Sequence, residues 1–358
     1  MRKPDPTTSI VMQTSHARPT VPRRGLLSAG VASVLGTSAG LGQAKGVRDG
    51  AIAWTALRPR LDQTLTDIRS VRVWQGGAPV FAYDRQGWGD QRLHAVQSVT
   101  KSVVALLFGA ALDDGHVPRI DGLVAEALPE LLRAPLDARV RRLRWAHLLE
   151  LQAGWGADAT AQRLRDDDVL ALASRPFVAA PGKRFAYDNG AYNLLAVGLA
   201  RRVQPRPQPG GLAQWAAQRL FAPLGLATAD WAWDQGARGH SLGALGLRLS
   251  ASAMARLGEL VRLGGVWQGR VLVSANFLAT ATARHSAGGA PIGMPYGYGW
   301  WVGQGVAVAA GYGGQWIWVQ PALELVVVAT SAPTAASMAR GQAITLIRKD
   351  IVRAVRNR

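Results

Sequence analysis

Residues 97–117 read QSVTKSVVALLFGAALDDGHV. The stretch from Ser98 to Leu112 reads as one helix, closed by Asp113, Asp114 and Gly115. Val103 to Phe108 are apolar without a break, so the helix is apolar on most sides and belongs in the centre of the molecule. Lys101 stands inside it, directly ahead of that run, where a lysine is costly unless it has a partner. Ser98, three residues earlier, shares its face. Ser98 also sits at the helix N-terminus, where free N–H groups and the positive dipole end favour developing negative charge. Burial lowers a lysine pKa, and a partly neutral amine beside a serine hydroxyl is a general base for acyl transfer. Read structurally instead, the same pair is a snorkelling lysine behind an N-cap serine.

Outward from this helix, residues 51–69 read as a helix interrupted at Pro59. Val71–Gln75 and Pro79–Tyr83 flank Gly76-Gly77 as a hairpin. Residues 121–250 read as short helices broken by Gly and Pro, with a loop at 203–211. The basic cluster Arg139–Arg144 alternates with apolar residues, as a strand or linker with one wet face does. Val306–Ala310, Trp316–Gln320 and Glu324–Thr330 read as strands, and Ala336–Val355 as an amphipathic helix. The expected fold is α+β: an antiparallel sheet flanked by terminal helices (46–95 and 250–358) with a mostly helical lobe inserted (96–249).

Composition narrows the function. The 358 residues are 48% hydrophobic and 18% charged, which excludes a disordered chain. The absence of cysteine removes disulfides, thiolate catalysis and Cys-based metal sites. Net charge is +18. Residues 1–45 hold six basic residues and one acidic, so the remainder keeps +13. That excess is scattered and arginine-rich, without an aromatic platform or a nucleic-acid motif, so no nucleic-acid partner is expected. Residues 1–45 have the order of an export signal: a polar basic stretch, Arg23-Arg24, a weakly apolar run at 25–42, then small residues. The arginine pair points to twin-arginine export and a periplasmic or secreted protein. The apolar run is too short and too rich in Gly and Ser to span a membrane, so no stable membrane insertion is expected after signal removal.

Two further clusters carry chemistry. In PGKRFAYDNG (181–190), Tyr187 and Asn189 point to one side if the backbone is extended. A phenol beside a lysine ammonium would have a lowered pKa and relay protons, while the Asn amide orients the lysine or a carbonyl. A hairpin with a packed Tyr is the plainer reading. In Gly311-Tyr312-Gly313-Gly314-Gln315, paired glycines let a substrate approach the strand that follows. There the N–H of Gln315 would join that of Ser98 as an oxyanion hole. The plainer reading here is a glycine-rich turn.

Taken in order, Ser98-Val99-Thr100-Lys101, Tyr187-Asp188-Asn189 and Tyr312-Gly313-Gly314 resemble the Ser-x-x-Lys, Tyr-x-Asn and Lys/His-x-Gly signature of the serine β-lactamase/penicillin-binding-protein superfamily. The resemblance is to the branch of class C β-lactamases, related esterases and 6-aminohexanoate-dimer hydrolases. It extends through LRWAHLLELQAGW (143–155), LFAPLGLATADW (220–231) and YGYGWW (296–301), and covers about residues 60–350. It implies a β-lactamase/transpeptidase-like fold and no cofactor or metal. It implies Ser98 as the acylated nucleophile, Lys101 and Tyr187 as general base and acid, and Asn189 as the orienting amide. Tyr312, Gly314 and Gln315 would then form the substrate and oxyanion wall. The family's Lys-Thr-Gly lysine is absent, and with it the ammonium that attracts a substrate carboxylate. This favours a small ester or amide substrate over a lactam. A true β-lactamase or D-Ala-D-Ala peptidase, and a non-catalytic penicillin-recognising protein, are the alternatives.

Two G-x-S-x-G matches, Gly36–Gly40 and Gly239–Gly243, lack the strand-then-helix setting of a nucleophile elbow. The six histidines, His16, His94, His116, His147, His240 and His285, have no zinc-ligand spacing. Trp155, Trp231, Trp233, Trp300 and Trp316 are candidates to line an aromatic cleft.

Overall fold

The structure is a computed structural model that describes residues 50–157, 164–204, 206 and 210–357. Residues 1–45, read from the sequence as an export signal, lie outside the described residues, as does part of the 203–211 loop. The first helix, α1 (Gly50–Gln63), runs through Pro59, and the chain turns into β1 (Ile68–Gln75) and β2 (Ala78–Asp84). The strand therefore begins earlier than expected and takes residues assigned to the helix. Gly76 and Gly77, at φ +60° and +80°, make the two-residue turn that twisted hairpins favour. The central helix α2 (Val99–Asp113) is buried from Val99 to Ala111. The middle of the chain contributes α3 (Trp145–Leu149), α4 (Asn189–Val203) and α5 (Ala251–Arg262). Then come β3 (Ser286–Gly289), β4 (Met294–Tyr296), β5 (Trp301–Gly303), β6 (Val306–Gly311), β7 (Gln315–Gln320) and β8 (Leu325–Ser331).

Among the described residues these eight strands form one sheet in the order β2-β1-β8-β7-β6-β5-β4-β3, antiparallel throughout. Every residue of β7 and β8 is buried, because both sheet faces are covered. On one face α5 packs across β1, β7 and β8, and α2 meets β6 and β7. On the other lie α1, with Trp54, Leu57 and Leu61 buried, and the helical run 342–356. Arg60 of α1 is ion-paired with Asp350 of that run.

Three local expectations are corrected. The C-terminal helix is two pieces, α6 (Ala335–Arg340) and 342–356, because Gly341 sits at φ +57° and ends the first. Arg139–Arg144 is not a strand; Ala138–Arg142 is a 3₁₀ turn whose N-cap Asp137 accepts from the Arg139 N–H. A strand does precede the Gly239–Gly243 match, at Trp231–Trp233. It leads to no elbow: the chain runs from the buried Ser241 into another strand, Leu247–Leu249, not a helix.

Candidate active site

The turn that delivers Ser98 is strained. Gln97 lies at φ +53°, a conformation that costs a non-glycine residue about 1–3 kcal/mol. Its carbonyl accepts from the Thr100 N–H at 3.0 Å and the Thr100 hydroxyl at 2.7 Å. The end of β6 closes the turn from the other side. A Cβ on Gly311 would lie 2.3 Å from the Val96 carbonyl oxygen, so only glycine lets the strand come this near.

Lys101 is fully enclosed. Its Nζ donates to Asn189 Oδ1 at 2.8 Å, to the Ala244 carbonyl at 2.8 Å and to Ser98 Oγ at 3.0 Å. Burial pulls the amine down from 10.5 to about 7, with the Asp188 carboxylate acting weakly against it. Two of the three acceptors are carbonyl oxygens, which can only accept. They fix two N–H bonds whatever the charge on the amine. When Lys101 is neutral, its lone pair is therefore aimed at the Ser98 hydroxyl.

Tyr187 is hydrogen-bonded to Ser98, and its ring lies 4.9 Å from Lys101 Nζ and stacks on Trp301 at 5.8 Å. Its phenol is not lowered, as the sequence reading expected, but pushed up to about 12, because burial outweighs the serine hydrogen bond. At neutral pH the Tyr187 phenol is therefore protonated and the Lys101 amine is partly neutral. Asn189 does not continue an extended segment. It opens α4 behind its N-cap Asp188, which also forms a buried ion pair with Arg175.

The cleft beside Ser98 measures about 770 Å³ and is mostly apolar. Ser98, Tyr187, Asn189 and Tyr312 line it, whereas Gly314 and Gln315 do not. The Gln315 side chain is turned into the sheet, where Nε2 donates to the Ser331 carbonyl at 2.8 Å. Its backbone is paired with Gly311. Strand parity names a different N–H. Gly303 and Val306 close a two-residue turn, so Val306, Val308 and Ala310 direct their backbone groups toward β5. β5 pairs only as far as Val308, so by this parity the Ala310 N–H falls on the side of β6 that β5 leaves unpaired, and Ala310 lines the cleft. Of the tryptophans, Trp301 faces this cleft, while Trp155 and Trp300 are core residues.

Sequence reasoning missed the Ala244 carbonyl and the Ala310 N–H, since backbone groups leave no mark in residue type. It also missed Asn193, whose Oδ1 accepts from the Ala244 N–H at 2.9 Å and so holds that loop against Lys101. Its spacing of four from Asn189 on α4 was a usable signal.

The β-lactamase family profile matches residues 61–349, and the chain belongs to that family. With a lysine-paired serine at its centre, the site is that of a serine hydrolase. Among solved structures, EstCE1, described as a hydrolase with promiscuous acyltransferase activity, superposes with a TM-score of 0.66 at 18% identity, covering 84% of this chain and 98% of its own. A family VIII carboxylesterase gives 0.65 at 17%, over 83% and 97%. A protein described as a 6-aminohexanoate-dimer hydrolase from Bacillus anthracis gives 0.65 at 17%, over 82% and 81%. At such identities the likeness establishes the β-lactamase/transpeptidase-like fold. No curated protein matches the sequence.

The placement of Gln315 predicts that Gln315→Ala lowers stability by about 1–3 kcal/mol in urea unfolding, while kcat/KM on a good substrate stays within about threefold of the parent. A large loss of turnover at unchanged stability would contradict this structural placement of the Gln315 side chain.

Proposed function

We propose that the protein hydrolyses small carboxylic esters or amides through an acyl-enzyme on Ser98, and is exported before it acts. The observation that carries this is the enclosed Lys101 amine 3.0 Å from Ser98 Oγ, with its pKa brought to about 7. Neutral Lys101 takes the Ser98 proton as Oγ attacks the substrate carbonyl. The oxyanion forms between the N–H groups of Ser98 and Ala310, the arrangement that usually contributes most to acyl transfer. Tyr187, protonated, delivers a proton to the departing oxygen or nitrogen and recovers it from the Lys101 ammonium. Water then repeats the sequence in reverse on the acyl-enzyme, and Lys101 ends neutral. Asn189 and the Ala244 carbonyl keep the amine in register throughout.

The cleft wall supports ester or amide over lactam. Tyr312 stands where the family signature has a cation, and Arg184 is the one charged residue among the described residues lining the cleft. The test compares p-nitrophenyl butyrate with a chromogenic cephalosporin. Ester turnover with negligible cephalosporin turnover is expected. Fast cephalosporin turnover would contradict the reading and give Arg184 the carboxylate-binding role. Ser98→Ala and Lys101→Met should each lower kcat/KM by about a hundredfold or more. A stoichiometric acyl adduct without turnover would instead favour the non-catalytic binding protein. Because the base must be neutral, activity is present above the Lys101 pKa and lost below it. The acid limb of kcat/KM should therefore bend near pH 7, falling about tenfold for each further pH unit down. A limb that bends near pH 4 would rule Lys101 out as the base.

The order of residues 1–45, with Arg23-Arg24 ahead of the weakly apolar run, supports twin-arginine export to the periplasm or beyond. Arg23→Lys with Arg24→Lys should hold the protein in the cytoplasmic fraction. Unchanged fractionation would contradict this route.

A further inference from the structure

A second cavity of about 480 Å³ lies between the outer face of the sheet and the C-terminal helices. Trp316 and Trp318, two apart on β7, present their indoles to it from one face of the strand. Ala343 and Ile344 cover it from the helical run 342–356, and Arg348, one turn beyond Ile344, stands exposed on its wall. The cavity adjoins the Ser98 cleft: Pro291, Ile292 and Met338 line both. Two of these belong to the β3–β4 turn, and the third is a methionine on α6, an unbranched side chain that adapts to whatever passes it. Among the described residues neither chamber has a carboxylate on its wall, and each has one arginine, Arg184 in the first and Arg348 in the second. Arg348 has no ion-pair partner among the described residues.

We propose that the second chamber is a substrate subsite. It receives the distal part of a long apolar chain attached to the ester held at Ser98, and Arg348 meets an anionic group at the end of that chain. A short ester would fit within the first cleft alone. A chain extended past Ile292 and Met338 buries additional methylenes against the two indoles, each worth about 0.8 kcal/mol. A distal carboxylate then meets a guanidinium that has no ion-pair partner, and a wall that has no carboxylate, among the described residues.

This inference rests on the ester reading, and the test keeps the two apart. Ile344→Trp fills the chamber without touching the Ser98 cleft. Turnover is measured on p-nitrophenyl alkanoates and on alkyl butyrates, each from short to decyl. Ile344→Trp should leave the short members within about twofold of the parent and lower kcat/KM for decyl members of one series about tenfold or more. Arg348→Glu should leave p-nitrophenyl decanoate nearly unchanged and lower kcat/KM for the p-nitrophenyl monoester of decanedioic acid about fivefold. Unchanged chain-length profiles in both series would overturn the subsite, and an Arg348→Glu effect equal on the two decyl substrates would overturn the anionic terminus. If the parent protein hydrolyses no ester at all, the ester reading fails, and the chamber is judged by calorimetric titration with decanoate. Binding lost in Ile344→Trp supports the chamber, and undiminished binding overturns it.

Discussion

Everything around the site answers to one buried amine. Lys101 sits inside a helix whose other residues from Val99 to Ala111 are also buried, and it has lost its water. Holding it neutral near pH 7 rather than at 10.5 corresponds to about 5 kcal/mol between the two charge states. Three oxygens replace the water: the Asn189 amide, the Ala244 carbonyl and Ser98 Oγ. The result is an amine that is tolerated in the core with its pKa brought to about 7. α4 supports it twice, through Asn189 directly and through Asn193, which fixes the Ala244 loop.

The second constraint is the ion pair beneath the motif. Asp188 caps α4 and thereby places Tyr187 and Asn189 on either side of it. Its carboxylate is buried and close enough to Lys101 to raise the amine. Arg175 offsets it, held by the Leu172 carbonyl at 2.7 Å and lying 4.2 Å from the Trp155 ring. A buried pair of this kind is weak evidence for net stability. Its consequence is electrostatic: the carboxylate that raises the Lys101 amine is itself paired with a guanidinium.

How much of this was legible depends on the kind of interaction. Ser98 and Lys101 are three apart on one helix, so sequence spacing is spatial spacing, and the apolar run after them announces burial. The Gly76-Gly77 hairpin and the strands 306–311, 315–320 and 325–331 were readable because turn chemistry and continuous apolar runs are local signals. What failed to show was set by burial or by backbone. The direction of the Tyr187 pKa depends on how deeply it is enclosed, which its neighbours in sequence do not say. The proposed oxyanion donor is a matter of strand parity: the glycines after Gly311 drew attention to Gln315, while Ala310, an unremarkable residue, is the one that lines the cleft. β3–β5 are short and glycine-rich, so no alternation announced them, although their tip forms the wall between the two chambers.

The charge on Lys101 can be read without any substrate, because the chain has five lysines, Lys3, Lys45, Lys101, Lys183 and Lys349. The protein labelled with ¹³C at lysine Cε should show one resonance that titrates near pH 7 and that disappears in Lys101→Met. If every lysine titrates near the ordinary 10.5, the amine beside Ser98 is an ammonium at working pH and the account of Lys101 as the base is wrong.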